Sequence, residues 1–205
     1  MELKEIERSI IKKYRKKIFV PFVKAIKEFN LIEENDKIMV CISGGKDSFL
    51  LAKCMQEIKK HGKFNFDLEF IVMNPGYTIE NINKIKENLS KLNIDAHIFD
   101  TPIFEVADKT DNPCYMCAKM RRGYLYSYAK KLGCNKIALG HHFNDVIETV
   151  LLNMIFTGNF SSMVPKVKST NFENMSLIRP LYYVREEDII RWAKYNELEF
   201  LDCAC

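Results

Sequence analysis

The run Ile38-Met39-Val40-Cys41-Ile42 leads into Ser43-Gly44-Gly45-Lys46-Asp47-Ser48 and then Phe49-Leu50-Leu51-Ala52. A short apolar run reads as a buried strand, the paired glycines as a tight turn, and the second apolar run as a helix that begins at once. Such a junction suits an anion. Glycines let backbone N–H groups converge, the helix contributes its positive N-terminal end, and Lys46 with the Ser43 and Ser48 hydroxyls supplies further donors. An ordinary turn also uses Gly-Gly and Asp-Ser, but it has no need of a lysine and two hydroxyls beside them. The Walker form is excluded, because it requires four residues between its first glycine and Gly-Lys-Ser/Thr. The expected ligand carries several phosphates.

Of the 205 residues, 47% are hydrophobic and 28% charged, enough for one sizeable core and too ordinary for a fibrous or disordered chain. A net charge of +4 permits nucleic acid without requiring it. No apolar run approaches the ~20 residues of a membrane span. Met1-Glu2-Leu3-Lys4-Glu5 lacks the plan of a signal peptide, so the expectation is a cytoplasmic protein with no membrane partner. In that compartment seven cysteines read as metal ligands, redox groups or buried thiols.

Residues 2–29 carry Ile6, Ile10, Ile11, Phe19, Phe22, Val23 and Ile26 at helical spacing, with a break expected at Pro21. Between the two segments, Lys12, Lys13, Arg15, Lys16 and Lys17 form either a solvated face or a track for an RNA backbone. Phe19 and Phe22 would suit a partner helix or the chain's own surface, so a homodimer is among the partners the sequence permits. Strands are expected at 37–42, 66–73, 95–99, 136–139 and 177–178. Helices are expected at 47–61, 80–92, 114–132, 146–156 and 185–195, with loops at 100–113 and 158–167. Helix 146–156 is apolar throughout and is expected in the core. Alternation of this kind implies a five-stranded parallel sheet covered by helices on both faces, an α/β domain over 36–205, preceded by a helical extension over 1–35. Ligands of such sheets lie beyond the carboxyl ends of the strands.

Cys114 and Cys117 follow Asn112-Pro113, a suitable helix start, so both thiols lie on one face of the first turns. A lone Cys-x-x-Cys is a zinc half-site, a redox dithiol or a cluster half-site. Cys203-Ala204-Cys205 adds a second pair of thiols, spaced more tightly than zinc half-sites usually are. Four thiolates would close a zinc site, whereas three would leave one iron of a four-iron cluster open. Cys41, Cys54 and Cys134 sit among apolar residues and read as core thiols.

Ser-Gly-Gly-Lys-Asp-Ser resembles the signature of the PP-loop ATP pyrophosphatases. Three further runs narrow the resemblance: Cys114-x-x-Cys117-Ala118-Lys119-Met120-Arg121-Arg122-Gly123, Lys136-Ile137-Ala138-Leu139-Gly140-His141-His142-x-x-Asp145 and Ile178-Arg179-Pro180-Leu181. Together, and over nearly the whole chain, they are similar to the tRNA 2-thiocytidine synthetase (TtcA) family. The resemblance implies an adenine nucleotide alpha hydrolase-like fold, with ATP and Mg²⁺ at Ser43, Gly44, Gly45, Lys46, Asp47, Ser48, Met73 and Gly140. It implies Asp145, Arg121 and Lys46 as catalytic residues, and Cys114, Cys117 and, by position, Cys203 as ligands of a [4Fe-4S] cluster. The family's terminal half-site is Cys-x-x-Cys, so Cys205 stays an alternative third ligand. The implied reaction adenylates the C2 oxygen of a tRNA cytidine and replaces it with sulfur from sulfide or a persulfide carrier. A lysidine synthetase-like ligase, with an amine as nucleophile, and a non-enzymatic ATP-binding redox sensor are the alternatives. His141 and His142 line the site or pack.

Overall fold

The computed structural model describes residues 1–62 and 65–201. Six strands form one sheet: β1 (Lys37–Ile42), β2 (Asp67–Asn74), β3 (Ala96–Asp100), β4 (Lys136–Ala138), β5 (Lys166–Lys168) and β6 (Ser176–Ile178). Their order is β3-β2-β1-β4-β6-β5. All pairings are parallel except β5 on β6. The chain leaves β1 for β2 on one side and later enters β4 on the other. That change of direction places a crevice at the carboxyl ends of β1 and β4, where α/β sheets bind ligands.

The helices are α1 (Leu3–Ile11), α2 (Val20–Glu28), α3 (Lys46–His61), α4 (Ile79–Lys91), α5 (Ile103–Ala107), α6 (Pro113–Lys131), α7 (Phe143–Leu152) and α8 (Glu186–Tyr195). One apolar layer joins Ile38, Val40 and Ile42 of β1 to Phe49, Leu50 and Met55 of α3, Ile189 and Trp192 of α8, and Ile6, Ile10 and Phe22. A smaller layer on the other sheet face joins Met39, Ile71 and Ile137 to Tyr126 and Ala129 of α6. The N-terminal helices therefore share the principal core. Lys53 of α3, fully buried, satisfies all three donors on Glu7 Oε1 (2.8 Å), Gln56 Oε1 (2.7 Å) and Leu92 O (2.9 Å). Trp192 Nε1–H and Asn196 Nδ2–H both donate to Ser9 Oγ at 3.1 Å, tying α1 to α8.

Several expectations change. Pro21 breaks nothing: a π-helical turn over Arg15–Phe19 runs straight into α2, and the proline stands in the first turn of that helix. Phe22 is buried and unavailable to a partner. The sheet has six strands, because the expected 158–167 loop ends in the antiparallel edge strand β5, and the 100–113 loop contains α5. Helix 146–156 is not a core helix. It resolves into α7 and a π-helical turn over Asn153–Thr157, and of these residues only Val146 is buried.

Candidate active site

Gly44 takes φ +96°, a backbone region that side-chain-bearing residues resist, and Gly45 is the extended N-cap of α3. Ser48 Oγ fastens the turn by accepting the Ser43 N–H at 3.1 Å and donating to Gly45 O at 2.8 Å. Two distant segments close over the loop. Leu201 N–H donates to Gly44 O at 3.1 Å, and Tyr77 O–H donates to Ser43 O at 3.2 Å. A Cβ on Gly44 would lie 2.8 Å from Leu201 Cδ1, so the glycine answers to space as well as to φ.

The second polar turn, Gly140–His142, abuts the first. A Cβ on Gly140 would lie 3.0 Å from Ser48 N and 3.1 Å from Asp47 C, so β4 and α3 meet backbone to backbone. Asp145 Oδ2 accepts the His142 N–H at 2.7 Å, which caps α7, and Asp145 also borders the cavity described next. Phe143 N–H donates to Val184 O at 2.9 Å and Glu186 N–H to Asn144 Oδ1 at 3.1 Å, fixing the start of α8 to the start of α7.

A cavity of about 560 Å³ opens beside these turns. Ser43, Asp47, Ser48, Met73, Gly140, Arg121 and Asp145, all expected from sequence, border it. Gly44, Gly45 and Lys46 belong to the same loop without bordering the cavity. Cys114 and Cys117 stand on α6 N-terminal to Arg121, the first exposed and the second half-buried, also outside the lining. Cys203 and Cys205 lie outside the described residues. Among those described, no group of three His, Cys, Asp or Glu side chains is arranged to hold a metal. Cys114 and Cys117, both free thiols one helical turn apart, form a soft-ligand half-site suited to iron or zinc.

His141 borders the cavity, the lining position expected of it, and Arg122, Arg179, Tyr77 and Cys41, for which the sequence suggests no role there, border it as well. Arg179 had a usable signal, a lone cation at the carboxyl end of the last strand. Cys41 is accordingly a cavity thiol rather than a fully enclosed one, though burial still pushes it far above the usual thiol range. Three guanidiniums face two carboxylates, a balance that favours a polyanion. Burial, reinforced by the Arg179 charge, lowers the His141 pKa and so keeps the ring neutral near pH 7. Burial raises the Asp47 pKa against the pull of Lys46 and His142. Lys46 Nζ lies 2.9 Å from Glu186 Oε1 and 3.4 Å from Asp47 Oδ2. Burial opposes its charge, but these carboxylates outweigh burial and raise its pKa.

Residues 14–204 match the PP-loop domain family. The tRNA-cytidine(32) 2-sulfurtransferase of Aeromonas hydrophila is 37% identical over 209 residues, covering 98% of this chain and 68% of the relative. That of Alcanivorax borkumensis is also 37% identical, covering 96% of this chain and 70% of the relative. Among solved structures, the U34-tRNA thiolase NcsA from Methanococcus maripaludis, determined with its [4Fe-4S] cluster, superposes with a TM-score of 0.71 at 24% identity. It covers 91% of this chain and 65% of that chain. NAD⁺ synthetase from Burkholderia pseudomallei shares the fold more distantly, with a TM-score of 0.50 at 12% identity, covering 97% of this chain and 77% of that one. No helix among the described residues is long and apolar enough to cross a membrane. With the Ser43–Ser48 loop, the crevice it borders and nearly full-length similarity in agreement, the chain belongs to the PP-loop family, alongside the tRNA-cytidine(32) 2-sulfurtransferases.

Proposed function

We propose that this chain is a cytoplasmic ATP-dependent tRNA sulfurtransferase that activates a cytidine C2 oxygen as an adenylate and replaces it with sulfur. The observation that carries this reading is the cavity itself, which brings the phosphate loop (Ser43, Asp47, Ser48), the second turn (Gly140, Asp145) and Arg121 of the cysteine-bearing helix around one space. The backbone amides of Gly44 and Gly45 and the Lys46 ammonium hold the pyrophosphate portion of ATP. The base oxygen attacks the α-phosphorus. An O–P bond forms, the α–β bridging bond breaks, and pyrophosphate leaves. Arg121 offsets the charge that develops, and Asp145 takes a proton or holds Mg²⁺. Sulfide then attacks the base carbon, a C–S bond forms as the C–O bond to the adenylate breaks, and AMP leaves; delivery from a persulfide carrier would pass through a disulfide to the base, which a second thiol reduces to free the thiolated base.

Cys114 and Cys117, with Cys203 or Cys205, would hold a [4Fe-4S] cluster, which when bound offers an open iron to sulfide. Incubated without oxygen with iron, sulfide, ATP and unmodified tRNA, the protein is expected to bind about four irons per chain and to release AMP with thiolated nucleoside. One zinc per chain, or ATP consumption without thiolation, would count against the proposal. The basic run over Lys12–Lys17 lies exposed and would track the RNA backbone within a helical extension over 1–35.

A second copy of the chain is the partner proposed for the apolar surface formed by α7, the π-helical turn after it and the loop that follows. Ile147, Leu151, Leu152, Met154, Ile155, Phe156, Phe160 and Val164 are between 42% and 84% exposed. At ~150–250 Å² for a large side chain they present on the order of 800 Å², the share each partner brings to a standard interface. From Leu151 to Pro165 there is no charged residue, which suits a like surface and gives phosphates nothing to hold. Asn153 Nδ2–H donates to Ser161 O at 2.9 Å, so the following loop satisfies polar groups internally and turns its apolar side chains outward. Sedimentation at micromolar concentration is expected to show a dimer, and Ile155→Glu/Phe156→Glu a monomer with an unchanged circular dichroism spectrum. A wild-type monomer, or a variant that stays dimeric, would overturn this.

A further inference from the structure

We propose that Glu186 is a positioning residue for the phosphate-loop lysine, setting the ammonium before ATP arrives. The inference rests on the reading of the site as one that cleaves ATP. An ammonium has three donors. Here Glu186 Oε1 takes one at 2.9 Å and Asp47 Oδ2 is within reach of a second at 3.4 Å, which leaves the third for a phosphate oxygen.

Glu186 is well placed to orient. It opens α8, whose Ile189 and Trp192 are fully buried, and it follows Val184, which is buried as well. Its own N–H is held by Asn144 Oδ1 at 3.1 Å, and Val184 O accepts the Phe143 N–H at 2.9 Å. The carboxylate therefore stands on a helix anchored to both the core and the second polar turn. A lysine has four flexible side-chain bonds, so a fixed acceptor removes much of the freedom that a phosphate would otherwise have to remove.

The charge balance argues for orientation over affinity. A carboxylate beside a polyphosphate site repels the incoming anion, so its removal leaves ground-state ATP binding unchanged or tighter. What it takes away is the alignment of the ammonium as charge develops on the departing pyrophosphate. A residue working this way shows its effect in kcat and not in KM.

The test is a kinetic series on the full chain, read as AMP formation against ATP concentration. For Glu186→Ala, kcat is expected to fall about tenfold or more with KM for ATP equal to or below the wild-type value. Glu186→Gln keeps an acceptor of the same length and is expected to recover most of that loss. A raised KM with unchanged kcat overturns the proposal, as does a glutamine variant no better than alanine. Acylation of Lys46 by acetic anhydride, mapped by peptide mass, reads the contact without turnover and is expected to speed up several-fold in Glu186→Ala. Equal labelling of wild type and variant overturns the pairing. Faster labelling in a protein that forms no AMP upholds the pairing and overturns the ATP-cleavage reading alone.

Discussion

Gly140→Ala is expected to lower AMP formation by about a hundredfold, although residue 140 carries no chemistry. The added methyl would meet Ser48 N at 3.0 Å and both Asp47 C and Ser48 Cα at 3.1 Å. All three are backbone atoms of the first turn of α3, so no flexible side chain can swing aside. Relief requires the helix start to retreat from the end of β4, and that start carries the amides and Lys46 proposed to face phosphate. Overpacking of this kind costs about 1–3 kcal/mol, a drop in melting temperature of several degrees for a chain of this length. Steady-state AMP release and a thermal melt check both effects. Wild-type turnover in a stably folded Gly140→Ala would mean that the backbone contact has no part in phosphate binding.

Removing either helix thiol is expected to act oppositely, sparing the nucleotide site and ending sulfur transfer. Cys114 is exposed and Cys117 half-buried, and neither borders the cavity, so Cys114→Ala and Cys117→Ala leave the core and phosphate loop in place. Each is expected to lose bound iron and to reduce thiolated nucleoside at least about a hundredfold, with ATP affinity within about twofold of wild type. Iron and acid-labile sulfide content, nucleoside chromatography and calorimetric ATP binding separate these effects. A Cys117→Ala protein that still thiolates tRNA would remove the thiols from the reaction. One that forms AMP and joins an amine to the base would favour the ligase alternative.

The parts of the fold legible in the chain were those that rest on local pattern. Five parallel strands and the strand–turn–helix around Gly44-Gly45 followed from apolar runs and glycine placement, because those signals are short-range. Strand β5 escaped because Lys166-Val167-Lys168 is three residues long and looks like loop until β6 lies beside it. Helix 146–156 showed a different limit, since an apolar run states that water is to be avoided and not which surface does the covering. In the site, Ser43, Asp47, Ser48 and Asp145 were readable as residues at strand-to-helix turns. Glu186 and Leu201 were not, because each reaches the loop from the far end of the chain by tertiary contact.

The bond from Leu201 N–H to Gly44 O also bears on the order of assembly. The carbonyl of the glycine turn is capped by a residue translated about 150 positions after it. At ~5–20 residues per second the two are separated by on the order of ten seconds. Through that interval Phe49 lacks Phe200, its stacking partner at 5.2 Å, and the apolar side of α3 lacks α8. A ribosome-bound chain halted before α8 would hold a phosphate loop in sequence but not in shape. Nucleotide capture thus waits on α8 and on Leu201, which closes over the glycine turn from well downstream in the chain.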